Sequence, residues 1–138
     1  MASASSNHIA VQALKILVVD LDGTLIPNVV DWERLRSSVR RLLGVSHELK
    51  PLATSLAALD VSSDLKNAAW DLVEREEVAS IERIPLDEVQ PSVEALKSAR
   101  ARGFSIVIAT LRSRRSAELI AEKLGVKNLV LTIVTREY

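Results

Sequence analysis

The chain has 138 residues with 18 Lys plus Arg against 18 Asp plus Glu, so its net charge is zero, and 48% of its residues are apolar. That length suits about one domain with a real core, and the balanced charge excludes the global basic field on which nucleic-acid binding relies. The absence of cysteine excludes disulfides and thiolate metal sites, and two distant histidines, His8 and His47, argue against a histidine zinc site.

In chain order, residues 1–12 are small and polar, without the charged start and apolar core of a signal peptide, and read as a flexible tail. Apolar runs stay short of the roughly 20 residues a membrane span needs, so a cytoplasmic protein without a membrane partner is expected. Residues 15–20 form a short continuous run rich in Ile and Val, the pattern of a fully buried strand. It ends on two acids, Asp20 and Asp22, followed by Gly23.

Residues 31–83 contain no strand pattern. The stretch 31-DWERLRSSVRRLLG-44 reads as an amphipathic helix with Asp31 near its N-cap and Gly44 at its end. A helical piece follows around 51–59, then a long helix over 63–84, stopped by Pro85. Its run 74-EREE-77 is expected to be a solvated face. Trp32 and Trp70 lie on these helices, where packing is their ordinary role; facing a substrate is the alternative for Trp32, which follows the two acids closely.

A helix over 91–103, opened near Pro91 and closed by Gly103, leads to a second apolar run over 104–110. Ser113 is the natural N-cap of a helix ended by Gly125, and a third apolar run covers 129–134. Helix, strand, helix, strand in succession calls for right-handed crossovers and a parallel sheet. Continuous apolar strands agree, because parallel sheets are normally covered on both faces. The expected fold class is α/β: a Rossmann-like parallel core from 1–26 and 86–138, with an all-helical cap of residues 27–85 inserted after the first strand.

Ligands of open parallel sheets bind beyond the carboxyl ends of the strands, where Asp20 lies. Gly23 allows a tight turn and close backbone approach. Two acids this close need a shared cation, and Mg²⁺ suits carboxylates while keeping room for phosphate oxygens. One carboxylate is a plausible nucleophile toward phosphorus and the other an acid and base. A solvated pair of strand-end acids is the alternative.

The hexapeptide Asp20-Leu21-Asp22-Gly23-Thr24-Leu25 resembles the first motif of the haloacid dehalogenase superfamily, DxDGTL. The resemblance implies Asp20 as nucleophile and Asp22 as general acid and base. Both would contact Mg²⁺, the second through its main-chain carbonyl. An acid at Asp22 resembles the phosphatases of the superfamily rather than its dehalogenases. Thr110, at the end of 106-IVIAT-110, is similar to the second motif, whose hydroxyl and following amide hold the transferring phosphoryl group. With Gly23 and Arg112 it makes up the expected phosphate-binding set. The helical insert resembles the small cap of the phosphoglycolate phosphatase-like branch.

The superfamily's third motif, a Lys or Arg, and its fourth, an acidic pair, follow the strand that here ends before 135-TREY-138, so the resemblance implies truncation before both. Lys123 would lie about 20 Å from the phosphate along its helix, and Lys127 at the far end of a strand. Arg112, just past Thr110, either stands in for the missing lysine or is solvated like Arg114 and Arg115. A core short of its last strands exposes an apolar edge, to be covered by a second copy of the chain or by the natural remainder of the chain. The expected function is a magnesium-dependent phosphatase acting on a small phosphorylated metabolite through an aspartyl phosphate. The alternative is a catalytically impaired fragment or pseudo-phosphatase that binds phosphate or a protein. A receiver domain, which also opens on a KILVVD-like strand, would need a further strand within 45–70, and that segment reads as helix.

Overall fold

The computed structural model describes residues 13–137. Three parallel strands, β1 (Ile16–Val19), β2 (Ser105–Ala109) and β3 (Val130–Val134), lie in the order β1-β2-β3. Ile16 pairs with Ser105 and Val19 with Ile108, while Ile108 pairs with Ile133 across a shift in register between Ile106 and Val107. Between β1 and β2 run four helices, α1 (Trp32–Leu43), α2 (Leu52–Ala58), α3 (Ser63–Ser80) and α4 (Leu86–Ala101), and α5 (Arg114–Leu124) joins β2 to β3. The architecture is α/β, as the order of apolar runs implied. Residues 45–70 hold helix and loop but no strand.

Local chemistry sets the helix ends. Asp31 accepts a hydrogen bond from the Arg34 amide at 3.1 Å, and Gly44 closes α1 in the left-handed region. Ser62 caps α3 through the Leu65 amide. Ser113 caps α5 through the Ser116 amide, and Gly125 ends it at φ 69°. The long helix of the insert ends at Ser80 and tightens into a 3-10 turn over Ile81–Arg83 before Pro85.

The start of α4 differs from expectation. The helix opens at Leu86, so Pro91 lies inside it rather than at its start. Pro91 removes one backbone donor, but it is exposed, and so is Asp87, whose carbonyl that donor would have met. Burial of Val89, Val93 and Leu96 on the opposite face outweighs one lost bond, at roughly 1.5–3 kcal/mol for each fully buried side chain. Lys127 likewise lies in a 3-10 turn before β3 rather than opening the strand.

Two apolar clusters form. One joins Ile106 and Ile108 of β2 to Val93, Leu96, Ala117 and Ile120 of α4 and α5. The other joins Leu35 and Val39 of α1 to Leu52, Leu56, Ala69 and Val73 of α2 and α3.

β1 departs from the fully buried strand expected of it. Leu17 and Val19 pack on the first cluster, but Ile16 and Val18 are 47% and 62% exposed. Val18 pairs with Val107 and therefore shares its face, the face opposite Ile106 and Ile108. Both crossover helices lie on the Ile106 side, because two right-handed crossovers progressing in one direction across a sheet fall on the same face. The other face is uncovered among the described residues.

Candidate active site

The site is built at the carboxyl ends of β1 and β2. One residue beyond β1, Asp20 is exposed, and its Oδ1 accepts from the Leu21 amide at 2.7 Å. The chain then turns tightly: the Ile26 amide donates to the Leu21 carbonyl at 3.0 Å and the Gly23 amide to the Ile26 carbonyl at 2.7 Å. Gly23 holds φ +79°, which a side chain resists whatever the space. Leu21, Leu25 and Ile26 anchor the turn in the core, so the two acids stand on a fixed loop above a packed base.

Thr110 follows β2 directly and is 9% exposed. Its amide donates to the Val134 carbonyl at 2.9 Å, and its Oγ1 accepts from the Arg112 amide at 3.1 Å. Asp20, Asp22, Thr110 and Arg112 line one cavity of about 460 Å³, together with Trp32 of α1 and Leu52 of α2. Gly23 shapes the turn without lining the cavity.

Arg112 is 1% exposed. Its Nε and Nη2 donate to the two carboxylate oxygens of Asp22 at 2.9 and 2.8 Å, a bidentate pair. Its Nη1 donates to the Glu77 carbonyl oxygen at 3.1 Å and to Ser80 Oγ at 3.4 Å. The helical insert thus orients the arginine that holds Asp22. Arg114 and Arg115 are exposed, as their position at a helix start suggests.

Glu77 belongs to this centre, and the solvated face expected for 74–77 is corrected at this position. The residue is 1% exposed. Its carboxylate accepts from Arg136 Nη1 at 2.9 and 3.1 Å and from the Ser113 amide at 3.2 Å. Burial raises its carboxyl above the ordinary 4.5, against the opposing pull of Arg136. Arg136 stacks on the Trp70 ring at 4.8 Å and donates to the Leu111 carbonyl. The signal for Glu77 was its spacing: Ala69, Val73, Glu77 and Ser80 form the buried stripe of α3. Arg136 had no local signal, because its partners are far away in sequence.

Asp20 offers one carboxylate to a metal ion, and the carbonyl of Asp22 accepts no hydrogen bond among the described residues. No cluster of three or more His, Cys, Asp or Glu side chains among the described residues could hold a metal. The donor set therefore fits only an open, hydrated Mg²⁺ that takes its remaining oxygens from water and phosphate. Among the described residues no helix is long and apolar enough to cross a membrane.

No curated protein matches the chain. A solved haloacid dehalogenase-like family hydrolase from Xanthomonas campestris is similar at 17% identity and a TM-score of 0.41, covering 90% of this chain and 62% of that one. This chain therefore spans less than two thirds of that structure's length. The family model for haloacid dehalogenase-like hydrolases matches residues 17–138, which takes in β1 from its second residue, the acidic turn, Thr110 and β3. The chain belongs to the haloacid dehalogenase-like hydrolase family.

Proposed function

We propose that the chain carries the nucleophile half of a magnesium-dependent phosphatase acting on a small phosphorylated metabolite, with a cap of the phosphoglycolate phosphatase-like kind. The observation that carries this reading is the convergence of Asp20 and Thr110, from adjacent strand ends, on one cavity. An exposed Asp20 carboxylate oxygen attacks phosphorus, and the ester oxygen leaves as an alcohol with a proton from Asp22. Water, deprotonated by Asp22, then releases phosphate from the aspartyl phosphate and restores Asp20. Thr110 Oγ1 and the Leu111 amide hold phosphoryl oxygens. Mg²⁺, held by the Asp20 carboxylate and the Asp22 carbonyl, would screen the charge between carboxylate and phosphate. To transfer a proton, Asp22 must free one oxygen from Arg112, which then has donors to offer the phosphate.

A second reading is favoured by the same ion pair. With both oxygens of Asp22 engaged by a buried guanidinium, the chain binds phosphate without turning it over, as a pseudo-phosphatase or as part of a longer catalytic unit. Hydrolysis of an aryl phosphate with Mg²⁺ and with EDTA, by the wild type and Asp20→Asn, separates the two. Metal-dependent turnover lost in the variant supports the phosphatase. Turnover retained in Asp20→Asn overturns it.

A further inference from the structure

Arg136 has one part of its guanidinium committed and the rest free. It stands two residues beyond β3, and its amide donates to the Arg112 carbonyl at 3.3 Å, which ties it to the loop after Thr110. Nη1 takes every acceptor that the side chain has among the described residues: the two carboxylate oxygens of Glu77 at 2.9 and 3.1 Å and the Leu111 carbonyl at 3.0 Å. Nη2 donates to no group among the described residues, and Nε lies 4.0 Å from Glu137 Oε1, beyond hydrogen-bond reach. The guanidinium also lies 4.8 Å from the centre of the Trp70 ring, which limits its movement. Arg112 makes the contrast: it spends Nε and Nη2 on Asp22, and Nη1 on the Glu77 carbonyl and Ser80 Oγ.

The free nitrogen of Arg136 is not sealed in. The side chain is only 10% exposed, yet no fully buried side-chain nitrogen or oxygen among the described residues lacks a hydrogen-bond partner. The unpartnered Nη2 therefore belongs to the small part of the side chain that meets open space. Arg136 lines the cavity of Asp20 and Thr110, and a second cavity of about 440 Å³ beside Trp70. Leu111 lines the first cavity as well, and its amide is another idle donor: it makes no hydrogen bond among the described residues, while the carbonyl of the same residue is taken by Arg136 Nη1. Donors that a folded chain leaves without a partner call for a ligand or a solvent contact. A phosphoryl group beside Asp20 sets negative charge against negative charge, and Arg136 is the arginine next to Leu111 with a nitrogen still to give.

We propose that Arg136 is a phosphate-binding residue of the site: Glu77 and Leu111 hold Nη1, and Nη2 donates to a phosphoryl oxygen. This rests on the phosphate-site reading above. It makes the seating of the insert part of phosphate binding, because the anchoring acid stands on α3 and the arginine on the segment after β3. The planar fork of arginine suits this division, one nitrogen for the protein and one for the ligand, whereas the single nitrogen of lysine cannot serve both.

The test is calorimetric binding of methylphosphonate, which is not hydrolysed, in Mg²⁺ buffer. Arg136→Lys keeps an ammonium for Glu77 and removes the second nitrogen, so it should unfold in urea close to the wild type and bind methylphosphonate roughly tenfold more weakly, the worth of one charge-assisted hydrogen bond. A purely structural Arg136 would leave that affinity unchanged. Glu77→Gln with Arg136→Met removes both charges of the buried pair, so that neither is stranded, and should show at least the same loss of binding. Wild-type affinity in either variant overturns this inference and leaves the phosphate site standing. Failure of the wild type to bind methylphosphonate overturns both.

Discussion

Arg112→Met removes the guanidinium while keeping an unbranched apolar stem in its place. Four side-chain hydrogen bonds disappear, two to Asp22 and one each to Glu77 O and Ser80 Oγ. Breaking a buried ion pair by deleting one partner typically costs about 3–5 kcal/mol, because the other charge is left behind. Asp22 keeps 18% side-chain exposure, so water repays part of that loss, and about 3 kcal/mol is expected. For a chain of this size that lowers Tm by about 10 °C. The assay is urea unfolding of Arg112→Met, Asp22→Asn and the double variant. Each single change strands a partner, whereas the double change removes both charges. The double variant should therefore lose at least about 1.5 kcal/mol less than the sum of the two. A loss below about 1 kcal/mol in Arg112→Met, or strict additivity, would refute a buried pair joining the sheet to the insert.

Glu77 gives a pH test. Its folded value is raised above the ordinary 4.5, so the folded state binds the extra proton, and that stability is complete below 4.5 and lost as pH rises through the raised value. Relative to Glu77→Gln, the wild type should gain stability as pH falls from 7 toward 4.5; urea midpoints moving the other way would contradict burial as the cause. Gly23→Ala should cost about 1–2 kcal/mol from φ alone, because the new Cβ would meet only Asn28 Nδ2 at 3.6 Å; a neutral result by thermal unfolding would show that the turn relaxes freely. Val18→Lys, on the uncovered face of β1, should change unfolding free energy by less than about 0.5 kcal/mol, and a loss of several times that would mean that something packs on this face.

The fold was legible where residues act locally. Asp31, Gly44, Ser113 and Gly125 fix helix ends by their own side chains or by their lack of one, and each stands where the sequence placed it. Strand positions followed from three apolar runs. Pro91 misled because a proline start rule is statistical, whereas the real limit is one backbone donor, which an exposed turn gives up cheaply. β1 misled differently. A continuous apolar run encodes the capacity to be covered on both faces, and Ile16 and Val18 have that capacity without a cover among the described residues.

The site divides along the same line. Asp20, Asp22 and Gly23 are adjacent in sequence, so their chemistry can be read before any folding is known. Thr110 needed the further knowledge that a second strand ends beside the first. The partners of Asp22 needed still more: Arg112 is 90 positions away, and the groups orienting Arg112 lie 35 and 32 positions from it on α3. Position alone left Arg112 open between a stand-in for the missing lysine and a solvated helix-start arginine, because arginine is rarely buried. The exception required four acceptor atoms of three residues, from two separate elements, at once, and no single stretch encodes that coincidence. What the sequence did hold was the position of Glu77 on the stripe Ala69, Val73, Glu77, Ser80. An acid on a buried stripe demands a cation, and searching for that cation would have brought Arg136 and then Arg112 into view. Spacing read before charge identifies the buried acid, and the buried acid identifies the arginines that tie the insert to the acidic turn.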